Sequence, residues 1–377
     1  MSDIIIKEVK SKSDLKKFID FPEKLYRNNP CYVPPLYFDQ VDTLTPSKNP
    51  ASSFCESVLY LAYKAGETVG RVAVIINNKA NEQWNHKEVR FGWFDFIDDK
   101  AVSAALMEKV YEFGRAHSMD SVVGPLGFTD FDPEGMLVEG FDKVGTMALI
   151  YNHPYYKEHM EAMGFEKDAD WIEYKVYIPE ELPSKMVRVA NIVKERSNVH
   201  VVNLTRSYIK KENYGRKIFN LINECYKDLY NFTVLPDDLA DKYLGFYLSI
   251  LDLKYVSMVE NENNELVAFG ITMPSLSKAL IKSRGKFFPF GWIHLLKSLF
   301  IKHEEGVEML LIGVRPDYQN KGIHSLIFED IFERVHKMKL KWAESNAVLE
   351  TNTKNQANWE IFEHECAKRR RSYKKML

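Results

Sequence analysis

The chain has 377 residues, 45% of them apolar and 28% charged, and a formal net charge of −2. That length exceeds one ordinary domain and predicts two of similar size, each able to bury its own core. The near-neutral charge argues against a nucleic-acid partner, and no apolar run reaches the roughly 18–20 residues needed to span a bilayer.

Asp3 to Ser11 reads as a strand, and SDLKKFIDFPEKLYRNNP as a helix broken at its prolines. SVLYLAYKAGETVGRVAVII is a hairpin turning at Ala65-Gly66-Glu67. VRFGWFDFIDD is an aromatic strand, AVSAALMEKVYEFGRAH a helix, SVVGPLGF a strand and YYKEHMEAMGF a helix ending at Gly164. DWIEYKVYIP closes the half. A polar connector with a helical patch runs from Pro179 to Asn198, and the same order then repeats: VHVVNLT, two helices (IKKENYGRKIFNLINECYKDLY and DDLADKYLGFYLSILD), and a hairpin turning at Asn261 to Asn264. EMLLIGV, GIHSLIFEDIFERVHKMKL, NAVLETN, NQANWEIFEHE and KRRRSYKKM complete it as strand, helix, strand, helix and strand. The repeat predicts a duplicated α+β module with a mixed α/β sheet: residues 1–180, a linker over 181–197, and residues 198–377.

Lys278 to Gly306 has no counterpart in the first half. Trp292, Leu295, Leu296, Leu299 and Phe300 fall on one helical face, with Lys297 and Lys302 elsewhere. This helix either packs on its own domain or walls a site for a greasy acceptor or acyl chain.

The most informative segment is LLIGVRPDYQNKGIHSLIF. An apolar strand ends at Val314, a turn follows through Arg315, Pro316, Asp317 and Tyr318, and Gln319-Asn320-Lys321-Gly322-Ile323 leads straight into a helix. Unpaired backbone N–H groups and the helix dipole make such a terminus a phosphate site. Gly322 would let a pyrophosphate approach closely, with Lys321 and Arg315 adding charge.

V-R-P-D-Y-Q-N-K-G-I resembles the acyl-coenzyme A loop of the GNAT superfamily, Q/R-x-x-G-x-G/A. Gln319 and Gly322 match; His324 stands where the family has Gly or Ala. The resemblance implies two tandem GNAT-like domains and acetyl-CoA as co-substrate. The pantetheine arm would lie along Ile312, Gly313 and Val314, with the Val314 N–H polarising the thioester, and the pyrophosphate against Gln319 to His324. ETNTKNQANWEIF resembles the family segment N-x-x-A-x-x-x-Y. Counted from Asn355 the tyrosine position is Phe362, and from Asn352 it is Trp359. Neither donates a proton to sulfur, so either another group serves as the acid, Tyr318 and Tyr373 being the options, or the thiolate leaves unassisted. Glu350, ending the strand NAVLE, is the first candidate for general base, with Asp317 and His324 behind it.

In the first half Asp98 and Asp99 stand where the loop should be, and they would repel pyrophosphate, so no coenzyme is expected there. GPLGFTDFDPEGMLVEGFD and YNHPYY carry Asp130, Asp132, Glu139, Asn152, His153 and Tyr155, either lining a pocket or packing at the domain seam. The basic tail Lys368-Arg369-Arg370-Arg371-Ser372-Tyr373-Lys374-Lys375 reads as a solvated edge strand, or else attracts a phosphate or an acidic acceptor. Cys31, Cys55, Cys225 and Cys366 make no metal or disulfide pattern, and the N-terminus MSDIIIKEVKSKSD is no signal peptide, so a cytoplasmic location is expected. These readings imply an N-acyltransferase moving an acyl group, acetyl first, from acyl-CoA to a small-molecule or peptide amine without a covalent cysteine intermediate. The alternatives are a non-catalytic ligand sensor and a Fem-like aminoacyl transferase.

Overall fold

The structure is a computed structural model that describes residues 3–211, 213–241, 243, 251–301 and 303–377. Its first half runs β1 (Ile4–Glu8), α1 (Lys12–Leu25), α2 (Tyr37–Thr43), β2 (Cys55–Lys64), β3 (Glu67–Asn77), α3 (Asn78–Trp84), β4 (Glu88–Phe96), α4 (Lys100–Ala116), β5 (Ser121–Gly124), β6 (Met136–Glu139), α5 (Tyr155–Ala162) and β7 (Glu166–Tyr177). The second runs α6 (Ser184–Arg196), β8 (Val199–Val201), α7 (Arg206–Lys211), α8 (Tyr214–Tyr226), β9 (Val256–Asn261), β10 (Leu266–Pro274), α9 (Ser277–Ser283), α10 (Gly291–Phe300), β11 (Gly306–Val314), α11 (His324–Lys337), β12 (Trp342–Ser345), β13 (Val348–Leu349), α12 (Thr353–Gln356) and β14 (His364–Met376). The helix read at DDLADKYLGFYLSILD lies partly outside the described residues, and Lys302 wholly so.

The expected mixed sheet is present and is continuous through both halves, in the order β1-β2-β3-β4-β5-β14-β7-β12-β11-β10-β9-β8. The hairpin turns are where the sequence placed them: Ala65 and Gly66 both take positive φ, as does Asn264. Pro22 does not break α1. A proline there removes the N–H that would bond the Phe18 carbonyl, and Arg71 supplies the missing donor at 2.8 Å. Two elements differ from expectation near the C-terminus. The strand assigned to 346–352 is Trp342–Ser345 plus the short β13, because the Asn346 side chain and N–H bond back to Leu310 and Met309 and turn the chain. The last helix is reduced to Thr353–Gln356, and β14 begins at His364.

The basic tail is the main correction. It is no edge strand: β14 lies between β5 and β7, deep in the first half's sheet. Lys368 and Arg370 are each 1% exposed. Lys368 reaches Glu173 at 3.3 Å and also pairs Glu344, while Arg370 pairs Glu173 and donates to the carbonyls of Gly135 and Ile150. Outward on the same strand, Arg371 grips Asp170 at 2.8 and 2.9 Å. The cations are therefore spent on internal carboxylates rather than offered to a phosphate.

Breaking a buried pair leaves an uncompensated charge, which costs about 3–5 kcal/mol. Arg370→Met should accordingly lower unfolding free energy by about that amount in urea titrations, whereas Lys341→Met, whose pair with Glu305 is exposed on both sides, should cost under about 1 kcal/mol.

Candidate functional site

β11 carries the site. Its register on β10 slips at Leu310, which has no opposite residue between the pairs Ile271↔Leu311 and Thr272↔Met309. A bulge of this kind bends a strand away from its neighbour. On the other side β11 pairs β12 in parallel only from Gly306 to Met309. The next short strand, β13, pairs β7 instead. Leu310–Val314 therefore keeps one edge bonded to β10 and the other open. Arg315 N–H donates to Val267 O at 2.8 Å, so by alternation the backbone polar groups of Ile312 and Val314 face the gap. The first half repeats the device: β4 bulges between Gly92 and Asp95, with Trp93 at φ 44, and pairs β5 only through Arg90.

The open edge leads to the loop. Pro316–Tyr318 makes a 3-10 turn, Asn320 and Gly322 take positive φ, and α11 starts at His324 with no side chain bonding its first N–H groups. The Gln319 side chain donates to Val314 O at 3.1 Å, tying loop to strand. Asn320 and Lys321 are exposed, and His324 is half-buried with its imidazole pKa lowered by burial.

Several expected roles change. A Cβ on Gly322 would lie 2.8 Å from Val189 and 3.2 Å from Val193. The missing side chain of that glycine therefore makes room for α6. Arg315 is bound by Asp317 at 2.7 and 2.9 Å and by Glu265 at 3.2 Å, so its charge is already matched, as is that of Asp317. Lys321, exposed at the rim, lies over the Tyr318 ring. Tyr318 is sandwiched between Arg315 and Lys321, with its hydroxyl near Asn261. Tyr373 is buried in the first half, because β14 carries it there. Glu350 is held between Lys167 and Arg369.

Beside α11, an aromatic group closes the second wall. Phe328 meets Trp359 at 5.6 Å, His324 at 6.3 Å and Phe362 at 6.4 Å between ring centroids. Two polar atoms in this wall, Asn355 Oδ1 and Trp359 Nε1, are buried without a partner. Such atoms call for an explanation, and a polar ligand along the wall supplies one. With the uncapped helix start and Lys321, these residues fit a coenzyme A phosphate and its amide-bearing arm.

Three groups escaped the sequence reading. The Tyr226 hydroxyl, from the end of α8, donates to Ile312 O at 2.8 Å and lies 3.3 Å from Ile312 N, covering the open edge. Cys225 Sγ stands 3.2 Å from Val314 O, and burial pushes its thiol up to about 12, so it sits there as a protonated donor. Their helix is 80 residues away in sequence, with no local signal. Glu308, at the closed end of the gap, is 3% exposed and faces Glu344 across the β11/β12 pairing. Burial, aided by Glu344, raises its pKa to about 7, and its Oε2 has no partner. A lone Glu in an apolar strand was the available clue.

In the first half the corresponding edge is filled. Tyr156 accepts from Phe96 N–H at 3.0 Å and Tyr26 donates to Asp95 at 2.7 Å. Asp99 caps α4 and pairs Lys64, and Asp98 meets His159. A cavity of ≈ 70 Å³ remains, lined by Tyr32, Arg71, Trp93, Asp95, Met147 and Asn152, among others. Of the residues expected to line a pocket, Asn152 does so while anchoring Leu137 through its amide. Among the described residues no cluster of His, Cys, Asp and Glu could hold a metal, and no helix is long and apolar enough to cross a membrane.

No family profile matches the chain. It is 27% identical over 383 residues to Protein YghO of Escherichia coli (strain K12), covering 99% of this chain and 95% of that protein. It is 26% identical over 321 residues to a bacterial ceramide synthase of Caulobacter vibrioides, covering 84% and 82%. Among solved structures it is similar to a tandem GNAT protein from the clavulanic acid biosynthesis pathway, with a TM-score of 0.58, 12% identity, and 99% and 98% of the two chains covered. The fold is thus the tandem GNAT fold.

Glu308 gives a pH test. Its carboxyl keeps the proton to about pH 7 when folded but releases it near 4.5 when unfolded, so the unfolded state binds fewer protons across that window. Stability should therefore fall as pH rises from about 5 to 8, and Glu308→Gln should flatten that part of the curve in urea titrations.

Proposed function

We propose that this chain is an acyl-CoA-dependent N-acyltransferase whose acceptor amine is carried on an apolar molecule. The observation that carries the reading is the open edge of β11 from Leu310 to Val314, ending at an uncapped helix start. The similarity to a protein described as a bacterial ceramide synthase supports an apolar acceptor and an acyl chain longer than acetyl.

The coenzyme phosphates would rest on the N–H groups from Asn320 to His324 with Lys321 alongside. The arm then runs from the loop toward the closed end of the gap. Val314 would hold an amide of the arm, and the Ile312 N–H, further along, would stabilise the oxyanion as the amine nitrogen attacks the thioester carbon. Tyr226 would have to release Ile312 for this, and its hydroxyl, kept protonated by burial, would then be able to donate to the leaving sulfur as the C–S bond breaks. An amine with a pKa near 10 arrives protonated and must lose a proton to attack. Glu308, with a free oxygen and a pKa of about 7, is the better acceptor than Glu350, whose carboxylate is matched by two cations. Roughly 13 Å of strand separates Glu308 from Ile312, so the proton travels through water.

A second reading, a ligand-binding protein without turnover, rests on the Tyr226 hydroxyl already occupying Ile312. Isotopic acyl transfer from acetyl- and palmitoyl-CoA to a panel of long-chain and short amines separates the two. Product with the long-chain amines supports the enzyme; coenzyme binding with no product on any amine supports the binder.

Two outcomes are expected. Calorimetry with coenzyme A should show Lys321→Glu weakening affinity at least about tenfold, a cost of about 1.4 kcal/mol. Gly322 is a poor probe because any side chain there collides with α6. In turnover, Glu308→Gln should lower kcat by about 10²-fold or more, with partial recovery at high pH, while Glu350→Gln should stay within about threefold.

A further inference from the structure

One surface is left over by the acyl-transfer reading. The sequence leaves the segment from Lys278 to Gly306 either packing on its own domain or walling a pocket. In the structure only one side of α10 does the former: Leu295, Ser298 and Leu299 are buried, and the two leucines cluster with Leu276, Leu280 and Met273. Trp292, which the sequence placed on the same stripe, turns outward with Leu296 and Phe300, because the helix uses the 295/299 pair for its underside. The preceding loop adds Phe287, Phe288 and Phe290, and the helix end adds Ile301. Phe288 is 80% exposed, Ile301 78% and Phe290 67%. So many large apolar side chains exposed within fifteen residues of a folded chain mark a binding face.

Charge indicates what it binds. From Leu266 to His303 the sequence has no Asp or Glu, yet it carries Lys278, Lys282, Arg284, Lys286, Lys297 and Lys302, in a chain whose net charge is −2. Lys278, Lys282 and Lys297 are exposed. Arg284 and Lys286 reach Glu23 at 3.5 Å and Asp20 at 3.2 Å, so part of the positive charge is answered from the neighbouring helix and part is not. Protein–protein interfaces are depleted in lysine, whereas interfacial helices combine Trp, Phe and Leu on one face with Lys and Arg around it. At ten residues, α10 is far too short to cross a bilayer.

We infer that the aromatic loop and outer face of α10 dock this protein on a lipid bilayer bearing anionic headgroups, lying at the interface without spanning it. The apolar side chains would enter the headgroup–acyl boundary while Lys282 and Lys297 meet the lipid phosphates. The placement has a consequence for substrate delivery. The cluster beneath α10 includes Val33 and Met147, which also line the cavity, and Phe287 packs on Phe38 at 5.8 Å from the adjoining segment. An apolar molecule leaving the leaflet would meet the seam of the two halves first. The docking itself goes beyond the acyl-transfer reading and stands or falls separately from it.

The test is sedimentation of the full chain with sucrose-loaded vesicles, one set phosphatidylcholine alone and one containing about a third phosphatidylglycerol. The chain should pellet with the anionic vesicles, and raising salt should weaken but not abolish this. The variant Phe288→Ser/Phe290→Ser/Ile301→Ser alters only exposed residues and should keep the wild-type urea midpoint while binding at least tenfold more weakly. Lys282→Glu/Lys297→Glu should lose the preference for anionic vesicles. Failure to pellet with either vesicle overturns the inference, as does equal pelleting by the triple serine variant. So does a wild-type dimer that becomes monomeric in that variant with no vesicle binding, which would make the face a contact between two copies. Neither coenzyme binding nor turnover enters these readouts.

Discussion

The buried ion cluster on β14 is the constraint from which the rest of the structure follows. Glu173 receives both Lys368 and Arg370, and Lys368 also holds Glu344 on β12. Charges taken out of water tolerate few arrangements, since each must find a partner at hydrogen-bonding distance. A one-residue slip of β14 on β7 would turn Lys368 and Arg370 to the other face and strand Glu173. The cluster therefore pins the register in which the last strand of the second half enters the sheet of the first. With one edge of β7 committed to β14, its other edge is left for β12 and β13. That draws β13 away from β11 and opens the gap that exposes Ile312 and Val314. Charge pairing at the seam and the open edge at the site are thus one piece of architecture.

The site itself shows a division of labour between backbone and side chains. Its proposed recognition elements are main-chain groups: a strand edge without a neighbouring strand and a helix start. Such groups place few demands on residue identity, which is how a chain with 12% identity to a solved tandem GNAT protein keeps the same fold over nearly its whole length. In the proposed reading the side chains instead set the occupancy and the chemistry. Tyr226 and Cys225 cover the edge from α8, burial keeps both protonated, and Glu308 holds a proton near neutral pH at the closed end. The first half has the same bulge and the same splay, but Tyr26 and Tyr156 fill it and Asp98 and Asp99 displace the loop. One backbone device appears twice, with different side chains in each copy.

The residues explain which features were legible in advance. Hairpins, caps and helix starts depend on neighbours a few positions apart, so Ala65-Gly66, the turn at Asn264, Asp99 at the head of α4 and the loop from Gln319 could be read from the chain. The loop's strand and helix followed from apolar periodicity. The basic tail misled for a physical reason. Alternating cations look alike whether they face water or buried carboxylates, and the partners of Lys368 and Arg370 lie up to about two hundred residues away at Glu173. The missing side chain of Gly322 also makes room for α6, a contact invisible without the third dimension.

The sequence by itself determined the repeated order of elements, the mixed sheet and the turn from β11 into α11, because each arises from local spacing and backbone freedom. Tertiary structure decided which strand stands between which, that Tyr226 rather than Tyr318 or Tyr373 covers the open edge, that Glu308 is buried with a free oxygen, and that Trp292 faces out while Leu295 faces in. Those are outcomes of burial and of long-range charge pairing. Both depend on what the rest of the chain places around a residue, and a residue's own neighbours in sequence carry no record of that.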